Sequence, residues 1–197
     1  MRDNKPNLED GHWLNPPPDW SITQGCLHAT TGAKTDFWQK TFYGFERDDG
    51  HFLAIRAPDA FTASLHVSGR FDSLYDQAGL MLRVDPTTWI KTGVEFTDGA
   101  LQLSAVVTNG ASDWSITPPT KPITDFWLRL TASNNAVRIQ YSFDASVWPL
   151  LRLAPFPTNH DMAIGPMLCS PERSGLEVVF DQFQLGPPIE TDLHDQS

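Results

Sequence analysis

Residues Tyr75–Trp114 constrain the fold more tightly than any other part of the chain. Two runs of alternating character flank Asp98-Gly99. That dipeptide suits a two-residue type I′ hairpin turn, because glycine accepts positive φ without steric cost. The turn sets Phe96 opposite Leu101, Val94 opposite Leu103, Thr92 opposite Ala105 and Ile90 opposite Val107. This largely apolar face must point inward. The other face pairs Glu95 with Gln102, Gly93 with Ser104, Lys91 with Val106 and Trp89 with Thr108. A slip of one residue would exchange the two faces, so burial of one of them specifies the register.

The preceding run alternates as well, with Ala78, Leu80, Leu82 and Val84 on one side and Gln77, Gly79, Met81 and Arg83 on the other. Keeping the apolar sets together requires an odd loop and a bulge near Asp85-Pro86-Thr87-Thr88. The simplest register then puts Gly79 against Gly93, Gln77 against Glu95 and Arg83 against Trp89. Two facing glycines are expected to leave a trough without side chains in its floor. A carboxylate, an amide, two cations and an indole surround it. The expected ligand-binding set is Gln77, Arg83, Trp89, Lys91 and Glu95, joined by Gln102 and by Trp114 in a following loop.

The rest of the chain repeats the strand pattern. Phe61–Phe71 alternates Phe61, Ala63, Leu65 and Val67 inward with Thr62, Ser64, His66 and Ser68 outward. Phe126–Thr131 and Ala136–Phe143 read as another hairpin, and Leu176–Leu185 as the last strand. No stretch carries a helical period, and turn residues recur at the spacing of sandwiches and barrels. The expectation is one all-β domain over residues 1–197, an antiparallel β-sandwich of two packed sheets. An extended arm at residues 1–20 carries Pro16-Pro17-Pro18, which cannot enter a helix or an inner strand. An acidic tail, 187–197, is expected to be loose.

Charge and cysteine usage narrow the partners. The formal net charge of −10 argues against nucleic acid and anionic membranes, both of which need clustered Lys and Arg. No 18-residue apolar run occurs, and the first residues lack the apolar core of a signal peptide. Cys26 and Cys169 read as free thiols, which points to a cytoplasmic protein. The six histidines have no zinc spacing, and no phosphate-binding or dinucleotide fingerprint is present, so neither metal nor cofactor is expected. Trp13, Trp20, Trp38, Trp127 and Trp148 read as core, and His51 as a solvated turn residue.

Four segments together resemble a widespread family. They are Asp36-Phe37-Trp38 with Tyr43-Gly44-Phe45, Tyr75-Asp76-Gln77-Ala78-Gly79-Leu80-Met81, Trp89-Ile90-Lys91-Thr92-Gly93-Val94-Glu95, and Val106-Val107-Thr108 with Ser112-Asp113-Trp114-Ser115. The family, of unknown function, includes the fungal regulator-of-enolase protein and has the concanavalin A-like lectin/glucanase fold. The resemblance extends to Ile164-Gly165-Pro166-Met167 and Val178–Leu185. It implies a jelly roll with a concave sheet, on which the glycine-floored face would lie. Related domains are appended to glycoside hydrolases such as β-xylosidases, where they look like carbohydrate-contacting modules.

Glycosidases need two carboxylates about 5–5.5 Å or about 6.5–9.5 Å apart. The Glu-x-Asp-x-x-Glu run of the glucanases of this fold is absent, since Glu95 is followed by Phe96, Thr97 and Asp98. Glu95 is the best candidate for a catalytic group if there is one. The leading expectation is a lectin-like domain that holds a small carbohydrate or sugar-like metabolite. Gln77, Arg83, Lys91 and Glu95 would hydrogen-bond it, and Trp89 would stack on it. The alternatives are a regulatory module that docks onto a metabolic enzyme through this face or the N-terminal arm, and a hydrolase or lyase with an unusual carboxylate or tyrosine partner for Glu95.

Overall fold

The computed structural model describes residues 6–158 and 160–197; Met1–Lys5 of the predicted arm lie outside them. Sixteen strands follow in chain order. The first eight are β1 (His12–Leu14), β2 (Asp19–Thr23), β3 (Cys26–Thr30), β4 (Phe37–Gln39), β5 (Glu46–Asp48), β6 (His51–Ala57), β7 (Phe61–Gly69) and β8 (Gln77–Asp85). The others are β9 (Thr88–Thr97), β10 (Ala100–Asn109), β11 (Ser112–Thr117), β12 (Asp125–Ser133), β13 (Ala136–Ser142), β14 (Leu150–Pro155), β15 (Met162–Cys169) and β16 (Glu177–Gly186).

They form two seven-stranded antiparallel sheets and a two-stranded piece. The first sheet runs β1-β6-β15-β8-β9-β10-β11, the second β14-β13-β12-β7-β16-β3-β2, and β4 pairs only with β5. The alternation read from the sequence explains the sandwich. Ala78, Leu80, Leu82, Ile90, Val94, Leu103 and Ala105 face Phe61, Leu65, Val67, Phe126, Leu130, Ile139 and Phe180 of the second sheet in one core.

The register of the central strands follows from the same pattern. Phe96 pairs with Leu101 and Glu95 with Gln102 around the Asp98-Gly99 turn, where both residues have positive φ. Between β8 and β9, Gln77 pairs with Glu95, Gly79 with Gly93 and Arg83 with Trp89, with an irregularity between Arg83 and Asp85.

The facing glycines serve a different purpose from the one expected. Both are buried. A Cβ at Gly79 would overlap the Thr92 carbonyl oxygen, and one at Gly93 the Ala78 carbonyl oxygen. They are needed because the two backbones approach closely, not because an open trough lies above them.

The termini differ from expectation too. The proline-rich segment crosses from β1, at the edge of the first sheet, to β2, at the edge of the second. Trp13 and Trp20 meet edge to face at 5.6 Å, with Trp20 44% exposed rather than in the core. The C-terminal segment, expected to be loose, is bonded to the second sheet: Arg138 donates to the carbonyls of Thr191 and Asp192, and the Trp148 amide to that of Gln196.

Candidate functional site

The polar face of β8–β9–β10 turns away from the second sheet, and β4 and β5 lie across it as a strap. The strap is held by charge as well as by apolar contact. Lys91 Nζ donates to Asp36 Oδ1 at 2.8 Å, and Arg83 grips Asp48 with both terminal nitrogens at 2.7 and 2.8 Å. The Gln39 amide donates to Ser112 Oγ at 2.9 Å, and its side-chain amide to the Pro86 carbonyl. Beneath lies a second core of Phe37, Trp38, Phe52, Met81, Trp89, Val106, Met167 and Cys169.

This cover corrects the expectation of an open binding face. Trp89 is fully buried, 6.2 Å from the Phe37 ring, with its indole N–H bonded to the Pro86 carbonyl. No face of it is free to stack on a ligand. Arg83 is committed to Asp48 and lies over the Phe37 ring. Gln102 pairs with Glu95 across the strands but stands outside the cavity described next. Trp114, expected in a loop, sits within β11 opposite Val106.

At the end of the strap a cavity of about 110 Å³ remains. Gln77, Lys91 and Glu95 reach it from the sheet, and Asp36 enters from the strap. Trp38, Tyr43, Phe45, Tyr75 and Trp114 supply aromatic walls, with Pro171 and Glu172 at another side. Trp38 meets Trp114 edge to face at 6.4 Å and Tyr43 at 5.8 Å, while Tyr43 stacks on Phe45 at 5.4 Å. The structure thus brings together Gln77, Lys91, Glu95 and Trp114 of the seven expected residues.

The polar groups at the cavity floor are unequally satisfied. Asp36 Oδ1 accepts from both Lys91 and the Phe37 amide. Glu95, 5% exposed, accepts from the Ser104 hydroxyl at 3.0 Å through Oε2. Its Oε1 receives no hydrogen bond among the described residues. The Trp114 indole N–H leans toward this carboxylate yet is buried without a partner in hydrogen-bond geometry. Gln77 donates to the Tyr75 carbonyl at 3.2 Å.

Burial pushes the Glu95 carboxyl above its ordinary range, with Lys91 and Ser104 offsetting part of the effect. For Lys91 burial pulls the other way, but the attraction of Asp36 and its neighbours prevails and holds the amine above its ordinary value. The hydrogen bond to Tyr43, together with burial, pushes the Tyr75 hydroxyl up to about 12. Burial raises the Cys169 thiol, and Cys169 and Cys26 are both free. No group of three metal-ligating side chains occurs among the described residues.

Asp36, Trp38, Tyr43, Phe45, Tyr75 and Glu172 escaped the sequence-based site. The available signal was two cations on one sheet face, Arg83 and Lys91, which call for carboxylates from another segment. Asp36 and Asp48 bracket the strap that provides them. His51 also departs from expectation: it is buried, bonded to the Gly32 amide at 2.9 Å and to the Asn15 carbonyl at 2.7 Å.

A β-sandwich with an aromatic-walled cavity beneath a strap defines the class. Residues 13–188 match the family described as "Protein of unknown function (DUF1349)", and the chain belongs to that family. It is 50% identical to "Regulation of enolase protein 1" of Saccharomyces cerevisiae over 190 residues, 96% of each chain. A crystal structure of a functionally unknown protein from Saccharomyces cerevisiae superposes with TM-score 0.91 at 49% identity, covering 93% of this chain and all of that one. The GH43 protein BlXynB of Bacillus licheniformis matches in fold, with TM-score 0.70 at 12% identity over 95% of this chain and 40% of its own. No helix among the described residues is long and apolar enough to cross a membrane.

Proposed function

We propose that the chain is a binding module that takes one small sugar or sugar-like metabolite in the cavity between the strap and the first sheet. One observation carries the reading: Glu95 and Gln77 present polar atoms to a small space with five aromatic side chains in its walls. Such a mix of apolar walls and few directed polar groups is typical of small-molecule sites. At about 110 Å³ the cavity limits a ligand to one small molecule rather than a chain of sugars. Asp36 is engaged by Lys91 and the Phe37 amide, which favours binding over two-carboxylate hydrolysis. A cytoplasmic setting belongs to the same proposal, since a reducing compartment keeps thiols such as Cys26 and Cys169 free.

Titration with monosaccharides, followed by amide chemical shifts, tests it. Shifts should gather at Gln77, Glu95 and Trp114 and vanish in the Glu95→Gln, Trp114→Phe double variant. Shifts spread over the second sheet, or none at all, would remove the reading.

A second reading has its own support. Phe42 is 94% exposed at positive φ, beside the partly exposed Tyr43 and Phe45, and exposed aromatics mark contact surfaces. The yeast relative is named for regulation of enolase. In this reading the strap tip docks onto that metabolic enzyme. Purified enolase should bind the immobilised protein, and Phe42→Ser should weaken binding about tenfold or more; equal binding by the variant would dismiss it.

A further inference from the structure

We infer that the ligand of this cavity carries a protonated amine beside a hydroxyl or ring oxygen, the arrangement found in an amino sugar with a free amino group. The inference rests on the sugar-binding reading and narrows it. It comes from counting what the cavity lacks.

Three carboxylates, Asp36, Glu95 and Glu172, line the space against a single amine, Lys91. That amine is spent on Asp36 at 2.8 Å. Glu95, almost wholly buried, accepts only the Ser104 hydroxyl in hydrogen-bond geometry, and Lys91 offsets its burial only in part. A buried carboxylate whose one nearby amine is bonded to another acid is costly, and a cation brought to it by a ligand acts where water screens little. The rings of Trp38, Tyr43, Phe45 and Trp114 reinforce this choice, since aromatic faces attract cations.

The second unmet need is that of Trp114. Its indole nitrogen can only donate, and although it leans toward Glu95 it reaches no acceptor in hydrogen-bond geometry. A hydroxyl or ring oxygen of the ligand would supply one. A plain alkylammonium lacks that oxygen, a neutral sugar lacks the cation, and a uronic acid brings a fourth carboxylate to a space with one amine.

Calorimetric titration at neutral pH with glucosamine, glucose, N-acetylglucosamine, glucuronate and tetramethylammonium tests this. Glucosamine should bind at least about tenfold more tightly than glucose, with N-acetylglucosamine no better than glucose and glucuronate not detectable. Glu95→Gln should bring glucosamine down to the affinity of glucose, and Trp114→Phe should weaken both sugars alike. Equal binding of glucose, N-acetylglucosamine and glucosamine would overturn the amine while leaving the sugar reading in place. Tetramethylammonium binding as tightly as glucosamine would overturn the oxygen requirement. A preference for glucosamine that survives Glu95→Gln would overturn the role of Glu95. Failure of every sugar to bind the parent protein would overturn the underlying reading itself.

Discussion

Lys91 Nζ lies 2.8 Å from Asp36 Oδ1, with the lysine side chain 4% exposed, and this pair joins the strap to the sheet that it covers. Removing one partner of such a pair leaves a buried charge uncompensated, at about 3–5 kcal/mol. Asp36→Asn is therefore expected to lower the melting temperature by on the order of 10 °C. The double change Asp36→Leu, Lys91→Met should recover part of that loss, because the pair leaves together while Glu95 loses the attraction of Lys91. Thermal denaturation of the three variants measures it, and a single variant within a degree of the parent would show that the pair does not hold the strap.

Trp89 separates a packing role from a binding role. It is fully buried under Phe37, so Trp89→Ala should cost about 3–5 kcal/mol in urea unfolding. Trp89→Phe should lose less stability and keep ligand affinity unchanged. A Trp89→Phe variant with normal stability and abolished binding would return this ring to the ligand site.

The facing glycines offer a sharper structural test. Gly79→Ala or Gly93→Ala places a methyl group inside the backbone of the opposite strand. Overpacking usually costs about 1–3 kcal/mol, and here rigid backbone rather than side chain must move. Either variant should fall at or above the upper end of that range, seen as a large drop in soluble yield and melting temperature. Tolerance of alanine at both positions would mean that the strands separate readily.

Two buried groups make opposite demands on pH. Glu95 holds its proton more strongly in the folded state than in the unfolded chain. Its contribution to stability is full below its ordinary value of 4.5 and is lost as pH rises through the raised value. Glu95→Gln should therefore match the parent in acid and exceed it in stability near neutral pH, with Lys91, Asp36, Tyr75, Ser104 and Trp114 unchanged around it. Burial lowers the value for His51, outweighing the Asn15 carbonyl and Asp49. Its contribution is present above the ordinary 6.5 and is lost as pH falls through the lowered value. Melting curves against pH check the first, and imidazole chemical shifts the second. A His51 that titrates at its ordinary value, or a Glu95→Gln variant no more stable than the parent at neutral pH, would contradict the stated burial effects.

Much of the fold was legible because the pairing of β8, β9 and β10 is set by local rules. Alternation fixed which residues share a face, Asp98-Gly99 fixed the hairpin, and the need to keep Leu82 and Ile90 on one side demanded the irregularity near Asp85. The cover over that face was not legible. Asp36-Phe37-Trp38 is three residues long, carries no period of its own, and meets Lys91 across 55 positions of chain. Parity placed Trp89 among polar residues correctly but says nothing about what lies above it. Trp114 escaped as a strand residue because β11 is a short edge strand whose outward residues alternate with half-buried ones.

A crystal of the protein soaked in a mixture of mono- and oligosaccharides would decide between a ligand site and a second core that happens to contain a hole. A bound ring between Trp38, Tyr43 and Trp114, with one polar atom in hydrogen-bond reach of Glu95 and an oxygen facing the Trp114 indole nitrogen, is the expected outcome. An empty cavity beside a sugar seated elsewhere, such as the groove lined by Trp20, His28 and Arg70 on the second sheet, would contradict it.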